Sequence, residues 1–288
     1  MHAMTRTVVV TDSTACLAPG VAEARGITVI PLQVVIGAHV YDEGTEGASP
    51  EAVAAALKAF TPVSTSRPNP AAVLEVYREL AEAGAEQIVS VHLSADMSGT
   101  YESCQLAARQ APVPVTTVDS RQVGAATGYA ALAAQDVVDA GGDAEAAAAA
   151  ARARSAASRS LFYVDTLEYL RRGGRIGAAA AVLGGALSVK PLLEIRDGRV
   201  ASLEKVRTAN RALARLEDLL VQAAGSTPVD ICIAHLANPS RAEALTTRLT
   251  ERLADNLEGR EVHCTEVGAV LGAHVGPGML AGVLAPRL

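Results

Sequence analysis

Tryptophan is absent from this 288-residue chain and phenylalanine occurs only twice, although half of the residues are hydrophobic. A core built almost without large rings must be aliphatic and alanine-rich. Positive charge is also short: 25 Lys and Arg against 31 Asp and Glu leave a formal net charge of −6. That balance argues against a nucleic-acid binder, which needs a basic surface to neutralise phosphates. No apolar run reaches the roughly 18 residues that suggest a membrane helix. The longest candidate, GAAAAVLGGAL (177–187), is shorter and broken by glycine. No secretory signal is visible. Cysteine is scarce: Cys16, Cys104, Cys232 and Cys264 form no CxxC pair. They read as reduced thiols, and the expected setting is the cytoplasm. His263 beside Cys264 makes a poor zinc pair, because neighbours on an alternating strand face opposite ways. Neither GxxxxGK[ST] nor GxGxxG follows a predicted strand, which weakens a nucleotide-binding reading. No metal or cofactor is expected.

Short apolar runs alternate with amphipathic ones. RTVVVTDS, GITVIPLQVVI, EQIVSVHL and VPVTTVDS read as buried strands, and SPEAVAAALKAF, PAAVLEVYRELAEAG and SGTYESCQLAARQA as helices between most of them. This pattern predicts an α/β fold with a mostly parallel sheet covered by helices on both faces. Ligands in such folds sit at the carboxyl ends of the strands. Asp12, Ser98 and Asp119 each follow a predicted strand, so one sheet edge can hold all three. The alanine-rich stretch 143–158 reads as an ordinary surface helix. Beyond it, Asp165 and Glu168 resemble a capping box ahead of a helix that ends at Gly173. KPLLEIRDGRVASLEKVR reads as a hairpin turning at Asp197-Gly198. A long helix (209–224), a strand VDICIAHL, a helix (239–257) and a strand REVHCTEVG follow. The expected division is an N-terminal α/β domain, 1–158, and a smaller C-terminal α/β domain, 159–288, that contains the hairpin.

Four polar clusters are candidates for chemistry. In LSADMSGTYES, a hydroxyl-rich loop enters a helix, where free N–H groups and the helix dipole favour an anion. Ser98 or Thr100 can equally serve as a plain helix cap. Ser98 lacks the GxSxG setting of a serine nucleophile, although His274 with Asp12 or Asp119 would complete a triad in principle. In STSRPNP, Arg67 and Asn69 precede prolines and are therefore extended. Asn69-Pro70 reads as a cap followed by proline at the first helical position, which leaves Thr65 and Ser66 on an extended loop. GAHVGPGML presents His274 ahead of a rigid turn. LRRGGRIG gathers Arg171, Arg172 and Arg175 around a helix end, where the dipole favours them.

Together, and in this order, these stretches resemble the DegV family of bacterial fatty-acid-binding proteins. The likeness spans nearly the whole chain: VTDSTA, STSRP, SGTYES, VDTLEYLRRGGRIG, KPLLEIRDGRV followed by KVRT, and HVGPG. The family usually reads TSQPS where this chain has Arg67 and Asn69, and DSTADLP where it has DSTACLA. The resemblance implies a DegV-like pair of α/β domains that bury a long-chain fatty acid between them, the second domain completing the tunnel. It implies ligand contacts from Thr65, with Ser66 beside it, from Ser98, Gly99 and Thr100, and from His274. It implies no catalysis by this chain. Instead a separate kinase subunit, similar to dihydroxyacetone kinases, would use ATP to form the acyl phosphate that enters phospholipid metabolism. Arg171, Arg175 and Arg207 are the candidates for meeting that subunit. The alternative is an acyl-ester hydrolase working through Ser98.

Elementary energetics agree with a carrier. A buried carboxylate needs several donors, and charge-assisted hydrogen bonds are the strong kind. Each buried CH₂ contributes roughly 0.8 kcal/mol, so a tail of about sixteen carbons has an upper bound near 12 kcal/mol before ordering costs. The small and aliphatic run AAAAVLGGALSV (178–189) suits a tunnel lining and equally an ordinary buried helix.

Overall fold

A computed structural model describes residues 5–182 and 190–287. The run 178–189 therefore falls mostly outside the described residues. The chain divides into two compact units, one of residues 1–33 and 66–156, the other of residues 34–65 and 157–288. The second unit is thus not contiguous in sequence. Residues 34–65, placed with the N-terminal half on sequence order, group with the C-terminal half and make that unit the larger.

The first unit is built on four parallel strands in the order Thr28–Ile30, Thr7–Asp12, Gln87–His92, Val115–Asp119. Alternation along the strands sends side chains to two separate cores. Val9, Val89, Val91 and Val118 pack with alanines of helices Ala125–Asp139 and Ala144–Ala157. Val10 and Ile88 pack on the other face, with Tyr77 of helix Pro70–Glu82 and Cys104 of helix Thr100–Ala108. The alanine-rich segment is therefore more than a surface helix: Ala147, Ala148 and Ala151 are fully buried. Small side chains let the helix lie close to its neighbours.

GITVIPLQVVI is not one strand. Thr28–Ile30 ends at Pro31, and Gln33–Ile36 belongs to a different sheet. Pro31 cannot donate to a ladder, and the next N–H, of Leu32, goes to Ser13 Oγ at 2.9 Å. The chain leaves the first unit here.

Residues 33–66, all but the two end residues in the second unit, supply a three-stranded sheet in the order His39–Asp42, Gln33–Ile36, Val63–Ser66, with helix Pro50–Lys58. Val34, Val53 and Leu57 bury against Ala269 and Ala273 of helix Ala269–Val275. The remainder is a six-stranded mixed sheet in the order Arg199–Val206, Lys190–Arg196, Arg159–Tyr163, Leu280–Pro286, Val229–His235, His263–Glu266. The predicted hairpin is present. Asp197 and Gly198 both have positive φ, at 51° and 80°, as a type I′ turn requires. Helix Ala209–Ala224 starts at Thr208, whose hydroxyl accepts from Arg211 N. It packs Leu213, Leu216 and Leu220 on the sheet. The helix expected over 239–257 breaks at Leu253 into two. The expected Asp165 cap does not form. The helix begins at Glu168, whose N–H goes to Thr166 Oγ1, while Asp165 accepts from the Tyr163 hydroxyl.

Candidate ligand-binding site

The second unit joins two sequence-predicted residues. Thr65 lies near the end of strand Val63–Ser66, and His274 in the last turn of helix Ala269–Val275. Thr65 Oγ1 and His274 Nε2 are 2.8 Å apart, across 209 positions of sequence. They border a cavity of about 460 Å³ that is also lined by Leu57, Phe60, Tyr169 and Arg175. Ser66 is not brought to this pair. Side chains alternate along a strand, so Ser66 is exposed and donates to Gln33 Oε1 at 3.2 Å.

His274 is held neutral. Burial, and then the charge of Arg175, lower its pKa to about 4. Its Nδ1 is buried with no hydrogen-bond partner. A Cβ at Gly173 would overlap that atom and lie 2.8 Å from Cε1, so glycine makes room for the ring. Nε2 touches Thr65, and the economical tautomer puts the proton there. An unpaired lone pair at Nδ1 replaces a buried, unsatisfied N–H. Nε2–H then donates to Thr65 Oγ1 and leaves the threonine hydroxyl proton for a ligand.

The predicted arginines separate. Arg171 and Arg172 are exposed and both pair with Glu168, at 2.7 Å each, which lowers the Glu168 pKa to about 2. Arg175 is half-buried at the cavity and donates to Gly173 O at 2.6 Å. Arg207 is exposed just after strand Arg199–Val206.

In the first unit, Asp12 and Asp119 end parallel strands, and Ser98 lies in the loop after strand Gln87–His92. Ser98 Oγ meets Thr100 Oγ1 at 2.9 Å and accepts from Thr100 N at 3.3 Å. The residue at the cap position of helix Thr100–Ala108 is Gly99, with no side-chain cap bond, so neither Ser98 nor Thr100 is the expected cap; Ser98 instead closes a local turn just before the helix. Asp119 Oδ1 accepts from Ala95 N and Arg121 N, which shapes the loops around it.

The family model described as "Uncharacterised protein, DegV family" matches residues 6–287. This chain belongs to the DegV family. A DegV domain-containing protein of Streptomyces coelicolor is 52% identical over 279 residues, covering 97% of this chain and 98% of that protein. A solved DegV of Bacillus subtilis, described as a fatty acid binding protein, matches with a TM-score of 0.90 and 29% identity over 98% of this chain and all of that one. A DegV family protein of Thermus thermophilus, solved in a study of fatty acid binding, matches with a TM-score of 0.89 and 30% identity over the same shares.

One departure from the usual DegV pattern has a visible structural partner. Arg67 bonds Glu102 at 2.6 Å, and a Cβ at Gly99 would lie 2.6 Å from its Cδ. The arginine thus lies over the start of helix Thr100–Ala108. Sequence reading missed a second feature of this DegV chain, a wholly buried relay. Tyr77 Oη meets Ser90 Oγ at 2.8 Å, Ser90 Oγ meets His92 Nε2 at 2.7 Å, and His92 Nδ1 meets Asp12 Oδ2 at 3.0 Å. Burial opposes a charge on His92, but Cys104 and Asp12 favour one, and its pKa is raised to about 10. Asp12 also accepts from Thr14 N and Leu93 N, so the relay anchors the first residue of LSADMSGTYES. The available signal was Ser90 and His92 at i and i+2 in the apolar run IVSVHL (88–93). Among the described residues, no helix is long and apolar enough to cross a membrane.

Proposed function

We propose that this DegV protein binds a long-chain fatty acid through its carboxylate and presents that group to a separate ATP-dependent kinase subunit. The observation that supports the reading best is the Thr65–His274 pair at the cavity beside Arg175. Thr65 donates its hydroxyl proton to the carboxylate while His274, neutral, donates to Thr65. Ser98, with the N–H groups of Gly99 and Thr100, forms the second proposed donor set. Arg175 supplies positive charge beside the pair, which offsets the cost of taking a carboxylate out of water. The two solved relatives described as fatty-acid binding support the ligand class. The motif resemblance supports the kinase, with Arg171, Arg175 and Arg207 as its proposed contacts. In this reading the chain acts in the cytoplasm, performs no catalysis of its own and needs no cofactor.

The test is mass spectrometry of ligand released by denaturing the purified protein, followed by reloading with palmitate or oleate. About one fatty acid per chain is expected. A lipid-free protein that takes up neither acid would overturn the carrier reading.

A further inference from the structure

We propose that Glu43 is a positioning residue for the Thr65–His274 pair. The inference rests on the head-group reading above and concerns how that site is held in register. The helix that carries His274, Ala269–Val275, opens at Gly268, which has no side chain to cap it. Its orphan N–H groups need an acceptor. Glu43 supplies one from far away in sequence: its Oε1 accepts from Val270 N at 2.7 Å, across 227 positions. The fit is close. A Cβ at Gly268 would overlap that oxygen and lie 2.9 Å from Glu43 Cδ.

Glu43 directly follows strand His39–Asp42, one edge of the three-stranded sheet, and the opposite edge, Val63–Ser66, bears Thr65. The same two pieces of chain, 34–65 and the 269–275 helix, are therefore tied twice. Glu43 ties the helix at its first turn and Thr65 ties it at its last. Apolar packing of Val34, Val53 and Leu57 on Ala269 and Ala273 lies among these ties. Such packing is non-directional and tolerates a small slide of the helix. Hydrogen bonds do not: the Thr65–His274 contact at 2.8 Å is lost after a shift of well under one helical rise of about 1.5 Å. Val270 and His274 are four residues apart, about one turn, so holding one N–H fixes the axial position of the imidazole. Glu43 thus sets the hydrogen-bond geometry at the head group without touching the ligand.

The experiment compares Glu43→Ala, Glu43→Gln and the double variant Glu43→Ala/Gly268→Ser. Gly268 already has cap-like backbone angles, φ −62° and ψ 169°, so serine there restores a local cap once the Glu43 carboxylate is gone. Two quantities are read: oleate affinity of the delipidated protein, and the ring ¹⁵N shifts of His274, which report its tautomer and hydrogen bonding. Glu43→Ala is expected to weaken oleate binding about tenfold, as for loss of one good hydrogen bond. It should also move the His274 ring signals toward averaged tautomers. Glu43→Gln keeps the acceptor, and the double variant replaces it, so both should return affinity to within about threefold of wild type. Wild-type ring signals in Glu43→Ala overturn the proposal, and so does failure of both rescues. The ring signals are read without lipid. A protein that binds no oleate while its His274 signals still respond to Glu43→Ala would sink the ligand reading and leave the positioning role standing. Should Glu43→Ala not fold, Glu43→Gln against Glu43→Asp makes the same comparison, since the shorter side chain withdraws the acceptor.

Discussion

Gly173→Ala, in the wall of the cavity, acts most directly on the imidazole. Gly173 sits at φ −72° and ψ −8°, in the right-handed region, so alanine is acceptable to the backbone. By itself the change stabilises a chain by about 0.4–1 kcal/mol through the unfolded state. The new Cβ, however, overlaps His274 Nδ1 and lies 2.8 Å from Cε1, where comfortable contact needs roughly 3.5 Å or more. The ring must move by about 1 Å. Nε2 on the same ring is already 2.8 Å from Thr65 Oγ1, so the imidazole either compresses that bond or rotates out of it. If Thr65 donates to the carboxylate as proposed, loss of its orientation removes a charge-assisted bond, about 1.5–3 kcal/mol, or roughly 10- to 100-fold in affinity. Calorimetric titration of delipidated protein with oleate measures it, with thermal melting in parallel. Gly174→Ala is the control. Gly174 has φ +71° and nothing within 4 Å of a new Cβ, so alanine there costs about 1 kcal/mol of stability and leaves affinity alone. Wild-type oleate affinity in Gly173→Ala would refute the assignment of His274 to the head group.

Thr65→Val and Ser98→Ala should each weaken fatty-acid binding by roughly 10- to 100-fold with the fold intact. If both serve one carboxylate, the double variant should be non-additive; unchanged affinity in both single variants would place the head group elsewhere. Because the His274 pKa falls from 6.5 to about 4 on folding, the unfolded chain binds the extra proton between those values. Stability contributed by this group is complete above pH 6.5 and is lost as pH falls toward 4, by at most about 3 kcal/mol. Urea unfolding at pH 7 and 4.5 should show a smaller difference in His274→Gln than in the parent. His92→Leu leaves Asp12 and Ser90 without their buried partner and should cost about 3 kcal/mol or more in denaturant unfolding; a loss below 1 kcal/mol would show that the relay contributes little. Arg207→Ala should leave oleate affinity near normal while lowering acyl-phosphate formation with a cognate kinase at saturating ligand. Full turnover removes Arg207 from that interface, and lost binding moves it into the ligand site.

Local order in this chain was legible because its causes are local. A type I′ turn needs positive φ at two neighbours, and Asp197-Gly198 announces it. Asn69 Oδ1 caps Ala71 N, with Pro70 at the first helical position, a device contained in three residues. Continuous apolar strands between helices predicted the parallel sheet, and ordered motifs predicted the family. Connectivity across the fold was not legible. Pro31 interrupts a run that reads as one strand, and the chain then spends residues 34–65 in the other unit. Thr65 and Ser66 were equal candidates in the sequence, and only the pleat says which of two adjacent hydroxyls faces His274. The Tyr77–Ser90–His92–Asp12 relay and the Glu43 cap join residues that no spacing rule connects. A turn or cap that closes within a few residues, as at Asp197-Gly198 and Asn69-Pro70, is within reach of the sequence alone. A hydrogen bond across 209 or 227 positions exists only when both partners have been buried by the packing of everything between, and only the tertiary structure decides that.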